Sequence, residues 1–204
     1  MPNGSDCMRT FPAALLTAAL AVVLSAVAVA PAAALTVDEA YQEMAHRHAG
    51  LDPASAGFAR EEAACLSRLF ELVDLAIVEK AQAWTWLHSE GRRGKPLPEY
   101  RIRLDALIAR LDSLPAPDRL RPVQTLLADA LRDQRAFFET WTPALEVGAR
   151  GQENQDVQRS RGIYLKDSSR KLHQVYGQLM DLFPNAGQQN FDAFYDHLCV
   201  LDLL

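Results

Sequence analysis

Residues 63–78 read AACLSRLFELVDLAIV, and this stretch decides the fold. Its only polar residues are Ser67, Arg68, Glu71 and Asp74, which share one narrow stripe of a helical wheel. The rest of the circumference is apolar, so the helix must be surrounded by neighbours. Its natural extent is 58–90, from the turn at Asp52–Gly57 to the breaker Gly91-Arg92-Arg93-Gly94-Lys95-Pro96.

Helical periodicity continues on both sides. Before it, Thr36-Val37-Asp38-Glu39 is a capping box that opens a helix with Val37, Tyr41, Met44 and Ala45 on its apolar face, closed by Gly50. After it, Tyr100, Leu104, Leu107, Leu111 and Leu114 form a seam at four-three spacing, ended by Pro115-Ala116-Pro117. A further helix runs to about Trp141 through Val123, Leu127, Leu131, Phe137 and Phe138, and Pro122 either lies in its first turn or kinks it. Following a weakly patterned polar run, Tyr164 to Phe183 resumes the helical spacing, and Pro184-Asn185-Ala186-Gly187 stops it. The last helix, 190–202, carries Phe191, Phe194, Tyr195, Leu198 and Cys199. No strand alternation or internal repeat is present. The sequence therefore predicts one all-α domain over 35–204, an antiparallel bundle of about four core helices with a short helix at each end.

Residues 1–34 read differently. An uncharged, mostly apolar run from Phe11 to Ala30 leads to Pro31 and the triplet Ala32-Ala33-Ala34, an A-x-A-type cleavage signature. Arg9 is the only base ahead of the run, and beginning at Met8 places it next to the apolar core. These features predict a cleaved secretory signal peptide over 1–34, with Met8 as the natural start and a periplasmic or secreted bundle of the bacterial envelope. The competing reading is a retained anchor, since the run could just span a bilayer. The net charge is −5 and no dense basic stripe occurs, which argues against nucleic acid as a partner.

Export gives the cysteines a meaning. Loss of Cys7 with the leader leaves Cys65 and Cys199, and the expectation is a structural disulfide between them. It would close a loop of about 134 residues. With no C-x-x-C, redox chemistry of the thioredoxin kind is excluded.

Bundles build metal and haem sites from inward-pointing side chains. Glu43 and His46 form a single Glu-x-x-His pair on the first helix, and His197 on the last helix is a further candidate ligand. His48 groups with Glu43 and His46 as a solvated face. Haem could use Met44 with His197 as axial ligands, although C-x-x-C-H is absent. Ser168-Ser169-Arg170-Lys171 matches S-x-x-K without its companion motifs, and no G-x-S-x-G or phosphate loop occurs. Trp84 and Trp86 diverge by about 200° around a helix, so one of them is available to a partner site together with His88, Arg92 and Arg93. The expectation is a non-enzymatic envelope protein that binds another protein or serves a structural role, carrying no cofactor. The alternative is a haem- or metal-binding bundle.

Overall fold

The computed structural model describes residues 35–55, 57–88, 99–146, 159 and 161–202. The predicted leader, most of the breaker after α2 and the polar run before Arg159 lie outside the described residues. Among the described residues the regular structure is entirely helical: α1 (Val37–Glu43), α2 (Arg60–His88), α3 (Tyr100–Ser113), α4 (Arg121–Glu146), α5 (Lys166–Leu182) and α6 (Gln188–Asp202), with one π-helical turn (Arg161–Leu165) leading into α5. None is long and apolar enough to cross a membrane.

The all-α bundle has the expected helices, and cross-helix pairs fix their directions. On α3 and α4, Asp112 meets Arg132, Asp105 meets Arg135, and Arg101 meets Glu139, so the two helices run antiparallel. On α4 and α5, Lys171 pairs with Asp133, while Arg119 ahead of α4 donates to the Leu182 carbonyl at 2.9 Å at the far end of α5. That pair is antiparallel too. The sixth helix closes the ring against α2: Phe70 stacks on Phe194, Asp74 faces His197, and Lys80 reaches Leu201. Numbers rise together on both helices, so this last contact is parallel. A ring of five helices joined by reversals must contain one such pair.

Local chemistry explains the boundaries. The capping box at α1 is formed as expected, with the Glu39 N–H donating to Thr36 Oγ1 at 3.3 Å and the Thr36 N–H donating to Glu39 at 2.8 Å. Yet α1 stops at Glu43, well before Gly50. Ala45 turns left-handed (φ 54°), the His46 N–H returns to the Tyr41 carbonyl at 3.0 Å, and the Ala45 N–H returns to Gln42 at 3.0 Å. This is a Schellman cap with alanine where glycine is usual, costing roughly 1 kcal/mol. Pro122 is the second residue of α4, in the first turn, where a missing N–H is harmless.

The loop between α1 and α2 is tied to the turn between α5 and α6. The Asp52 N–H donates to Asn190 Oδ1 at 2.8 Å, and Ser55 Oγ donates to the Ala186 carbonyl at 2.7 Å. Gly57 lies so close that a Cβ would sit 2.6 Å from the Ala186 backbone, which requires glycine there. These ties hold the loop, and the histidines it carries, against α6.

The expected Cys65–Cys199 disulfide is not formed, and both residues are free thiols. The cause is axial as well as rotational: Phe70 lies level with Phe194 and Asp74 with His197, which leaves Cys65 and Cys199 about 15 Å apart along the helix axes. Asp74 and Phe70 face α6, whereas Cys65 lies about 180° around α2 from Asp74. Cys199 lies about 200° around α6 from the inward His197. Cys65 is a buried core residue, and Cys199 sits with its sulfur 3.8 Å from His46 Nε2.

Candidate metal centre

Asp74 belongs to the polar stripe of α2, but that stripe is not given over to solvent. α1 folds over it, and Tyr41, only 1% exposed, donates its hydroxyl to Asp74 Oδ1 at 2.8 Å. From the reversed loop after α1, His48 brings Nε2 to 3.3 Å from Asp74 Oδ2. From α6, the buried His197 brings Nε2 to 3.3 Å from Asp74 Oδ1. One donor atom from each of His48, Asp74 and His197 lies within 4.8 Å of the others.

The other nitrogen of each ring decides what this cluster can do. His197 Nδ1 lies 2.7 Å from the Ala193 carbonyl, an acceptor only, so Nδ1 carries the proton. In the neutral ring Nε2 then presents a lone pair to a carboxylate oxygen. His48 lies between two carboxylates, with Nδ1 3.1 Å from Asp38 Oδ1 and Nε2 3.3 Å from Asp74 Oδ2, so a neutral ring aims one lone pair at a carboxylate whichever tautomer it takes. Acceptor faces acceptor at His197 and at one side of His48, which is repulsive unless a cation stands between them. That cation is a second proton on each ring or, between Asp74 and the two rings, one metal ion.

The two nitrogen–oxygen spacings of 3.3 Å, one to each Asp74 oxygen, are those of an ion's ligands, while the donor set as a whole spans up to 4.8 Å. Tetrahedral nitrogen and oxygen donors bound at about 2.0–2.2 Å stand about 3.3–3.6 Å apart. Both histidines also have an outer partner, Asp38 for His48 and the Ala193 carbonyl for His197, and in the ion-free chain the Tyr41 hydroxyl donates to Asp74. Metal-bound histidines characteristically donate their second N–H to a carboxylate or a carbonyl. Rings complete the enclosure, with Tyr41 at 4.8 Å from His48 and Phe70 at 4.7 Å from His197 between centroids. Burial first, and then the charge of Asp74, holds the Tyr41 phenol far above its ordinary range, so in the ion-free chain it is a fixed donor.

The residues singled out by sequence fall in several places. His197 is in the cluster. Glu43 is exposed at the end of α1, and His46 faces Cys199 instead of Asp74, so the Glu-x-x-His pair does not converge on His197. Met44 is half-buried at the end of α1 and packs on the core. His197 turns its Nδ1 to the Ala193 carbonyl and its Nε2 to Asp74. Trp84 and Trp86 are half-buried near the end of α2, with Trp84 against the core. The side chain of His88, together with Arg92 and Arg93, lies outside the described residues. Sequence reasoning passed over Asp74 and gave His48 to solvent. The available signal was an acid on a helix with almost no polar surface, six residues from the fully buried Lys80.

Comparison with protein-family models, curated proteins and solved structures returns no match for this chain.

Proposed function

We propose that this protein binds a first-row transition-metal ion through His48, Asp74 and His197, as a helical-bundle protein of the cell envelope. The observation that carries the reading is the convergence of two imidazole nitrogens on one carboxylate, with the Ala193 carbonyl holding His197 in the tautomer that aims its Nε2 lone pair at Asp74. A mixed imidazole and carboxylate set suits zinc, copper, nickel or iron rather than calcium or magnesium, which take oxygen donors.

Holding the ion fits this site better than turning over a substrate. The open grooves along α4 and α5 and beside Lys166 to Gln174 are lined by other residues. Export, read from residues 1–34, would place the ion-binding domain where it meets metal arriving from outside. In that setting the bundle's role is non-enzymatic: to hold an ion, or to present an ion-dependent surface to another envelope protein.

Calorimetric titration of chelator-treated protein with zinc, nickel and cobalt tests the reading. One ion per chain is expected, and His48→Ala should weaken binding by more than about tenfold. Binding that does not saturate at one ion, or that is equal in His48→Ala, overturns the proposal.

A further inference from the structure

The triad leaves coordination positions unfilled, and a fourth donor is already beside it. We infer that Tyr41 supplies its phenolic oxygen as a fourth ligand, making a two-histidine, aspartate and tyrosine set suited to ferric or cupric ions. This rests on the metal reading of the triad and goes further by naming the class of ion.

Three observations carry it. The hydroxyl of Tyr41 lies 2.8 Å from Asp74 Oδ1, the same oxygen that faces His197 Nε2 at 3.3 Å. The first distance is the length of an ordinary O–H···O hydrogen bond. It also equals the spacing of about 2.8 Å between two oxygens side by side in an octahedral shell with bonds of about 2.0 Å, so Tyr41 is within reach of an ion on Asp74 Oδ1. The second observation is burial: Tyr41 is enclosed, and its ring packs against both histidines, at centroid distances of 4.8 Å to His48 and 5.8 Å to His197. The third is positional control. The capping box fixes the start of α1, and the Schellman cap takes the Tyr41 carbonyl as its anchor, so the fold that places His48 also places Tyr41.

The donor set defines the ion. A phenolate and a carboxylate with two neutral imidazoles carry two negative charges. They leave a ferric centre at +1 and a cupric centre neutral, a small residual charge in a half-buried site. As the oxygen–metal bond forms, the phenolic O–H bond breaks and its proton passes to solvent; no electron is transferred. Ferric and cupric phenolates absorb visible light by charge transfer from ligand to metal. Zinc, with a filled d shell, gives no such band, so the two levels of the assignment can be read separately.

The experiment uses the full chain freed of metal, to which ferric ion is added as its nitrilotriacetate chelate. A coloured complex is expected, with phenolate vibrations enhanced when resonance Raman excitation falls in the band. Tyr41→Phe should lose the band and at least about tenfold in ferric affinity; Tyr195→Phe should retain the band and zinc binding. The Raman measurement on the unaltered chain needs no variant to fold. If zinc binds at one ion per chain but the ferric complex is colourless, or its band persists in Tyr41→Phe, the Tyr41 assignment is overturned and the triad stands. If no ion binds the unaltered chain, both fall.

Discussion

Two polar clusters lie on the same α2–α6 interface, one half-buried around Asp74 and the other fully buried around Lys80, and they are built to opposite rules. At the Lys80 end every donor has an acceptor. Lys80 Nζ donates to the Leu201 carbonyl at 2.5 Å, and Gln134 Nε2 donates to that carbonyl at 2.8 Å and to Ser168 Oγ at 3.0 Å. The carbonyl belongs to the last turn of α6, where such groups lack a helical partner. This cluster binds α2, α4, α5 and α6 together and asks for nothing more. At the Asp74 end the acceptors outnumber the donors. The Asp74 and Asp38 carboxylates and the His197 Nε2 lone pair share the Tyr41 hydroxyl and a single His48 N–H. Polar packing along one interface thus serves cohesion in one case and leaves a cation-shaped deficit in the other.

The sharpest way to break this contrast is Asp74→Asn. The amide keeps the size of the side chain and adds an N–H donor toward the histidines, but removes the charge. Metal affinity should fall by more than about a hundredfold while the ion-free fold persists, measured by titration and by thermal melting. Equal zinc affinity in the variant would end the distinction between the two clusters.

At the other cluster the observable is pH. Burial, opposed by the nearby charge of Asp202, pushes the Lys80 amine down to about 7. Between pH 7 and its ordinary value near 10.5, the unfolded chain holds a proton that the folded chain does not. Stability from this group therefore rises with pH through that window, by up to about 1.4 kcal/mol per pH unit, and is lost as pH falls toward 7. Urea unfolding at pH 7, 8 and 9 should show this slope, and Lys80→Met should remove it, since an apolar side chain of similar volume is tolerated in place of a buried charge. Parallel profiles for the two proteins would remove Lys80 as the cause.

The smallest effect probes the outer shell. Asp38 is largely exposed and touches the site only through His48 Nδ1. Asp38→Asn should weaken the ion by about tenfold and leave the stability at pH 7 unchanged. A loss as large as that of Asp74→Asn would make Asp38 a direct ligand.

Legibility in the sequence tracked the range of the interactions. Apolar periodicity places helices because it is local, and the seams of α3 and α5 could be read directly. So could the capping box at Thr36 and Glu39. The early end of α1 was hidden because Ala45 holds a left-handed conformation that alanine gives no reason to expect. The site was hidden for a different reason. His48, Asp74 and His197 are separated by long stretches of chain and share no motif spacing. Glu43 and His46, which do share one, are separated by the chain reversal.

The sequence by itself determined an all-helical chain, the helix order and the crowded surroundings of α2, because propensity, capping and apolar spacing act within a few residues. Only the tertiary structure decided which face of α2 meets α6. That rotation, with the axial register of the two helices, sets Cys65 and Cys199 apart and brings Asp74 between two histidines. A turn of about 100° per residue makes neighbours in sequence diverge in space, so partners at this interface are chosen by packing rather than by spacing.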